Sequence, residues 1–385
     1  MNKYIPYGRQ WIEEDDIASV VEVLKGDYIT TGPKISEFEA QLADYTGAKH
    51  VVAYSNGTAA LHAACFAAGI QEGDEVITTP MTFAASANCI LYVGGIPVFA
   101  DICTDTYNIN PFDIEQKITK KTKALIPVDF TGQPCDLDEI MQIAKTHNLT
   151  VIEDASHSIG AVYKGKGIGT IADMTTFSFH PVKNITTGEG GAVATNSDKF
   201  YEKLLMFRTH GITRDKEKLV SAKEGSWFYE QHFLGYNCRM TDIQAALGVS
   251  QLKKCDMFLE KRRKYAQQYT REFNNVDGLI VPYQDVNIES AWHLYIIQLQ
   301  LDKLRIGRKE FIAELQEHGV GANVHYIPVY YHPYYQSLGY RKGLCPNTEA
   351  IYEKIITLPL FPKMEQTDVD YVINITKNII HKHKK

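Results

Sequence analysis

No C-x-x-C pair, no long apolar run, no basic surplus and no low-complexity linker occur in this chain of 385 residues. Each absence removes a class of function. The seven cysteines (Cys65, Cys89, Cys103, Cys135, Cys238, Cys255 and Cys345) are odd in number and scattered. That pattern favours reduced thiols in a cytoplasmic protein over a disulfide framework or a zinc site, so no metal is expected. No segment stays apolar long enough to cross a bilayer, and no N-terminal stretch has a signal-peptide pattern, so no membrane partner is expected. Lysine and arginine number 40 against 46 acids, a net charge of −6. Nucleic-acid binding usually shows as a basic stripe, and the only basic cluster is the tail His381-Lys382-His383-Lys384-Lys385. With 44% apolar and 22% charged residues, the composition is that of a water-soluble globular protein. Its length fits one large domain plus a smaller one.

What is present is an alternation of strand and helix patterns. Ile35, Phe38, Leu42 and Tyr45 are spaced as one face of a helix ending near Gly47. Strands are expected at 51–54, 75–79, 97–100, 124–128 and 150–152, with helices at 58–68, 82–92 and 137–147 between them. Two more short strands, 174–179 and 192–195, follow. Such alternation implies an α/β fold whose mostly parallel sheet is covered on both faces. A long helical pattern from Asp242 to about Phe273 breaks the rhythm. After it come a strand (292–299), a helix (309–318), a strand (322–326) and two C-terminal helices. The expected division falls inside the long helix: a large domain 1–258 and a small C-terminal α+β domain 259–385.

Ligands of such sheets bind outside the carboxyl ends of the strands, and the loops there carry the chemistry. Ser55-Asn56-Gly57-Thr58 opens a helix after one strand. A helix start offers free N–H groups and a positive dipole end to a phosphate, although, taken alone, the stretch is better explained as a plain N-cap by Asn56 or Thr58. Gly165-x-Gly167-x-Gly169 lacks the dinucleotide spacing and reads as a hairpin-like turn. Glu153-Asp154-Ala155-Ser156-His157 follows another strand; a lone Asp there is commonly a cap.

The segment "FSFHPVKNITTGEGGAVAT", residues 177–195, changes the balance. It sets a single lysine, Lys183, in a glycine-bearing turn between two apolar strands. Lysine is rarely buried unless paired or chemically employed. In a dry pocket its amine loses its proton easily and can form a Schiff base with an aldehyde. Pyridoxal 5′-phosphate (PLP) needs a Schiff-base lysine, an anion for its pyridinium nitrogen, a phosphate cradle and an aromatic lid. Lys183, Asp154, Gly57-Thr58 with Ser178, and Phe83 can fill those roles in that order.

On these residues the chain resembles the DegT-type PLP-dependent nucleotide-sugar aminotransferases, a family with the aspartate-aminotransferase type I fold. The resemblance runs from Ile5-Pro6-Tyr7 to Leu358-Pro359-Leu360-Phe361-Pro362. It rests on Asn56-Gly57-Thr58-Ala59-Ala60-Leu61, Thr79-Pro80-Met81-Thr82-Phe83, Glu153 to His157, Phe177-Ser178-Phe179-His180-x-x-Lys183 and Gly188-Glu189-Gly190-Gly191. It continues through Gly235-Tyr236-Asn237-Cys238-Arg239-Met240 and Val324-His325-Tyr326-x-Pro328. The resemblance implies that Lys183 carries the cofactor and shuttles protons, and that Asp154 keeps the pyridinium protonated. It implies that His157 lies beside the phenolic oxygen and that Phe83 stacks on the ring. Gly57, Thr58 and Ser178 would hold the phosphate. Asn237 would come from a neighbouring subunit, which implies a homodimer with shared active sites.

Arginines after residue 273 are only Arg305, Arg308 and Arg341, unlike amino-acid aminotransferases that clamp a carboxylate from the C-terminal domain. Arg208-Thr209-His210-Gly211, Trp227-Phe228-Tyr229-Glu230-Gln231 and Met240-Thr241-Asp242-Ile243-Gln244 resemble one branch of the family. That branch, in the pseudaminic acid pathway, transfers the amino group of L-glutamate to C4 of a UDP-2-acetamido-2,6-dideoxy-4-ketohexose (β-L-arabino). Its product is UDP-4-amino-4,6-dideoxy-N-acetyl-β-L-altrosamine. Tyr7, Asp27, Tyr28, Ile29, Thr30, His325, Tyr326, Ile327, Pro328 and Tyr335 match its sugar-nucleotide contacts. The aromatic stretch 326–335, Tyr330 and Tyr331 above all, reads equally as a packed dimer edge. The rivals are aminotransfer to another UDP- or dTDP-4-ketosugar (the D-xylo epimer, bacillosamine- or perosamine-type), another PLP reaction, or a non-catalytic binding protein. Sugar 3-dehydratases of the family carry histidine in place of the lysine, which Lys183 argues against.

Overall fold

Seven strands with short apolar sequences build the centre of the computed structural model, which describes residues 4–221 and 225–385. They are β1 His50–Tyr54, β2 Glu75–Thr78, β3 Ile96–Phe99, β4 Thr122–Ile126, β5 Thr150–Asp154, β6 Met174–Ser178 and β7 Gly191–Thr195. Their order across the sheet is β1-β7-β6-β5-β4-β2-β3. From β6 to β3 every neighbouring pair is parallel, whereas β7 runs antiparallel to both β1 and β6. The expected α/β architecture with a mostly parallel sheet is present. Alternate residues serve opposite faces: Val51, Ala53, Val151 and Phe177 enter one buried cluster, and Val52, Tyr54, Ile152 and Met174 the other.

Helices cover both faces. Pro33 starts the helix Pro33–Thr46, which buries Ile35, Phe38 and Leu42 and ends at Gly47 with φ +77°; Tyr45 is half-buried. The helix Gly57–Ala67 buries five alanines, small enough to bring its axis close to the sheet. Lys164 and Gly165, both at positive φ, turn the short hairpin Val162–Tyr163 to Lys166–Gly167, as two-residue turns of this hand require.

Several elements differ from expectation. The pattern from 242 to 273 is two helices, Asp242–Leu252 and Cys255–Phe273. Between them the Lys254 N–H reaches Gln251, three residues back, while its Nζ is drawn to Asp15 and Asp16 at 2.7 Å each. Those acids belong to the helix Glu14–Lys25, which the expectations above omit although Ile17, Val20, Val21 and Leu24 stand at helical spacing. Residues 322–326 form no strand, only a bridge from Asn323 to Thr357. Consecutive residues of a strand point to opposite faces, yet His325 and Tyr326 line the same cavity. The strand expected at 292–299 begins only at Tyr295, after Trp292 at φ +45°. Three helices, Pro333–Ser337, Pro346–Tyr352 and Gln366–His383, stand where two were expected.

Along Cys255–Phe273, Phe258 and Leu259 pack into the first core cluster. Tyr265, Ala266, Tyr269 and Phe273 pack instead with Tyr295–Leu299, Ile355–Leu358 and the C-terminal helix. Among the described residues no helix is long and apolar enough to cross a membrane.

Candidate active site

Strand ends converge on a cavity of about 720 Å³. At the end of β1, Asn56 caps the helix Gly57–Ala67, its side chain accepting from the Ala59 N–H at 2.8 Å. Asn56, Gly57 and Thr58 line the cavity beside Ser178, the last residue of β6. The approach depends on absent side chains. A Cβ on Gly57 would lie 2.9 Å from Ser178 Cβ, and one on Gly191 would lie 2.5 Å from the Asn56 carbonyl oxygen. The result is a cradle of backbone N–H groups and hydroxyls at a helix N-terminus, which suits an anion.

At the end of β5, Asp154 is buried in the cavity wall. Ser86 Oγ donates to its Oδ2 at 2.6 Å, and Ser156 donates to Oδ1 from Oγ at 2.6 Å and from its N–H at 3.1 Å. Three donors set the orientation of the carboxylate.

Lys183 lies in the turn between β6 and β7. The turn is closed by hydrogen bonds from Lys183 N–H to the His180 carbonyl (2.9 Å) and from Thr187 N–H to the Phe179 carbonyl (3.0 Å). Lys183 is half-buried and lines the cavity. Burial lowers its pKa to about 8, against the pull of Asp154 towards the charged form. The amine is thus easily made nucleophilic near neutral pH.

Imidazoles and aromatic rings close the remaining wall. His157 Nε2 meets the Tyr326 hydroxyl at 3.2 Å, and its Nδ1 is buried without a hydrogen-bond partner. The rings of His157 and His293 are 4.4 Å apart. Burial, reinforced by nearby cationic groups, pushes both imidazoles well below their ordinary pKa and keeps them neutral. His325, whose Nδ1 meets Thr357 Oγ1 at 2.8 Å, is pushed down to about 3 by burial and by Lys183. Phe83 is exposed and tilts towards Tyr326, with ring centroids 6.2 Å apart.

Tyr7, Gly57, Thr58, Phe83, Asp154, His157, Ser178, Lys183, His325 and Tyr326 therefore share one cavity. The other expected site residues do not line it. Asp27, Tyr28, Ile29 and Thr30 are exposed outside it, Thr30 bridging to Thr241, and Asn237 is exposed beside Thr209. Backbone pairing holds Ile29, Thr30 and Asn237 outside the cavity: the Asp242 N–H donates to the Ile29 carbonyl at 3.1 Å, and Thr30 and Asn237 bridge to Thr241 and Thr209. Ile327 and Tyr335 line an adjoining recess of about 340 Å³ that shares Phe83 and Tyr326 with the main cavity. Pro328 is buried next to it. Tyr330 is core, its hydroxyl donating to Glu349 at 2.8 Å. Ser86, His293 and Asn323 line the cavity without having been singled out. For His293 a signal existed: a histidine inside the apolar run 292–299.

The profile of the DegT/DnrJ/EryC1/StrS aminotransferase family matches residues 10–377. The spore coat polysaccharide biosynthesis protein SpsC of Bacillus subtilis is 42% identical over 381 residues, 98% of each chain. Among solved structures, Helicobacter pylori PseC, an aminotransferase involved in pseudoaminic acid biosynthesis, superposes with a TM-score of 0.92. It is 31% identical, covering 99% of this chain and all of that one. Spr1654 of Streptococcus pneumoniae, described as a sugar aminotransferase and solved in PLP and PMP forms, has a TM-score of 0.91. It is 35% identical over 98% of this chain and, in its PLP form, 99% of its own. The chain belongs to the DegT/DnrJ/EryC1/StrS aminotransferase family and is a PLP-dependent sugar aminotransferase.

Proposed function

We propose that the enzyme transfers the amino group of L-glutamate to C4 of a UDP-linked 2-acetamido-2,6-dideoxy-4-ketohexose of β-L-arabino configuration. The product is UDP-4-amino-4,6-dideoxy-N-acetyl-β-L-altrosamine. The observation that carries the chemistry is Lys183, an amine of lowered pKa in the same cavity as the triply hydrogen-bonded Asp154. The choice of sugar is supported by the likeness to PseC. No arginine lines the cavity among the described residues, which fits a sugar acceptor better than a second amino acid.

The residues present fit PLP. The cradle at Gly57 would be filled by a single Cβ, and a buried His157 nitrogen has no partner. PLP supplies an aldehyde to take up the amino group and an electron-withdrawing ring. Gly57, Thr58 and Ser178 would hold its phosphate and Phe83 would cover one ring face. Asp154 would hold a proton on the ring nitrogen, and His157, tied to Tyr326, would sit beside the phenolic oxygen. Lys183 Nζ takes the proton from the donor's α-carbon and delivers one to the sugar's C4. Neutral His157, His293 and His325 keep competing positive charge away from that amine.

Residues 1–258 would form the PLP-binding domain and 259–385 the smaller one. We place the active sites at a homodimer interface. Asn237 and the 27–30 segment lie outside this chain's cavity, and the apolar side chains Tyr28, Ile29, Trp227, Leu234 and Tyr236 in or near these two segments are exposed. The partner's copy would complete the phosphate site and, with Tyr7, His325 to Pro328 and Tyr335, hold the sugar nucleotide. The free cysteines support a cytoplasmic setting.

The test is incubation with ¹⁵N-glutamate and a panel of UDP- and dTDP-4-ketosugars, read by mass spectrometry. The UDP β-L-arabino ketosugar should gain the labelled nitrogen fastest. Exclusive use of its D-xylo epimer would overturn the choice of sugar and leave the Lys183 chemistry standing.

A further inference from the structure

Behind His325 stands a single hydroxyl on an otherwise apolar strand. In the strand Ile355–Leu358, Ile356 and Leu358 pack into the cluster around Tyr265 and Tyr269. Alternate strand residues serve opposite faces, so Ile355 and Thr357 share the other one. Ile355 joins the cluster against which Val324 and Tyr326 pack. Thr357 is buried there and paired through its backbone with Asn323. Its N–H donates to the Asn323 carbonyl at 2.8 Å, and its carbonyl accepts from the Asn323 N–H at 3.2 Å. Two residues further along, His325 Nδ1 meets Thr357 Oγ1 at 2.8 Å.

The direction of that hydrogen bond follows from what else each group can do. A neutral imidazole carries one N–H and one acceptor nitrogen, and His325 is neutral at pH 7 because burial and Lys183 push its pKa down to about 3. If Nδ1 carried the proton, Thr357 Oγ1 would accept it. The hydroxyl proton would then be buried without an acceptor, since among the described residues Thr357 Oγ1 makes no other hydrogen bond. A buried donor left unpaired costs more than an ordinary hydrogen bond contributes. Thr357 therefore donates to Nδ1, and the ring proton sits on Nε2. That nitrogen has no protein partner among the described residues and is not shut off from solvent. His325 lines the cavity beside Tyr7, whose ring centroid is 5.1 Å from its own.

We propose that Thr357 fixes His325 as the Nε2–H tautomer, so that the neutral ring presents the cavity with a hydrogen-bond donor for an acceptor oxygen of the sugar nucleotide. Ketone and ionised phosphoryl oxygens accept but cannot donate, so the opposite tautomer would face either of them with a lone pair. Thr357 is a positioning residue, acting only through His325. This inference rests on the reading of His325 as a sugar contact.

Histidine ¹⁵N spectra of the holoenzyme test the tautomer directly, with the His325 signals identified by their loss in His325→Gln. At pH 7, Nε2 should resonate as a protonated nitrogen and Nδ1 as an unprotonated one. A protonated Nδ1 overturns the proposal. In the kinetic arm, Thr357→Val keeps the shape of the side chain and removes the hydroxyl. It should raise KM for the ketosugar about five- to tenfold, the size expected for one hydrogen bond, and leave the half-reaction with glutamate unchanged. Thr357→Ser, which retains the hydroxyl, should stay near wild type. Equal losses in the Val and Ser variants, or unchanged KM values for both substrates in Thr357→Val, overturn the proposal. Should Thr357→Val not fold, the spectra alone decide. The expected spectrum with KM raised for glutamate instead of the ketosugar would refute the reading of His325 as a sugar contact and leave the tautomer standing.

Discussion

Replacing Lys183 by methionine should stabilise the apoprotein at neutral pH while abolishing activity. The side chain is one atom shorter and keeps an apolar stem but loses the charge. In the folded protein burial lowers the lysine pKa from 10.5 to about 8. Between those values the unfolded chain binds more protons than the folded one, so wild-type stability rises with pH through that window. Below it the charged lysine costs at most about 3 kcal/mol, at about 1.4 kcal/mol per pKa unit. Lys183 is only half-buried, so solvent screening leaves about 1–2 kcal/mol. With an unfolding entropy of about 2 cal/mol/K per residue, that is a rise of about 1–3 °C in Tm at pH 7. The assay is thermal unfolding of both apoproteins from pH 7 to 10.5. The advantage of Lys183→Met should shrink as pH rises. A variant no more stable at pH 7, or a constant difference across the range, would refute the lowered pKa and with it the argument for a reactive amine.

Two further outcomes follow from the geometry. Gly57→Ala should weaken PLP binding about tenfold, because the new Cβ would lie 2.9 Å from Ser178 Cβ and overpacking costs about 1–3 kcal/mol; fluorescence titration with unchanged affinity would contradict the cradle. Mixing inactive Lys183→Ala with an inactive Asn237→Asp variant should restore roughly a quarter of wild-type activity, since half of randomly paired dimers carry one intact site. Subunit exchange without recovered activity would exclude Asn237 from the partner's site.

The sheet was legible because buried parallel strands are short apolar runs, and β1 to β7 each carry one. The cavity was legible for the same reason: strand ends are where chemistry-bearing loops gather, so Asp154, Ser178 and Lys183 could be placed together. The break at Lys253–Lys254 was not. An apolar spacing of three and four residues passes through one tight turn unchanged, and the attraction to Asp15 and Asp16 comes from residues about 240 positions away. His325 and Tyr326 looked like a strand because alternation says nothing about a segment that turns both side chains to one cavity. Positions 27–30 and Asn237 are exposed outside the cavity of a single chain, so the roles proposed for them depend on a second copy.

The most direct test of the account is chemical. Borohydride reduction of the yellow holoenzyme, followed by proteolysis and peptide mapping, should fix the cofactor on the peptide containing Lys183. Lys183→Ala should remain unlabelled. Cofactor fixed on any other lysine, or label retained in Lys183→Ala, would contradict the assignment of this cavity as the active site.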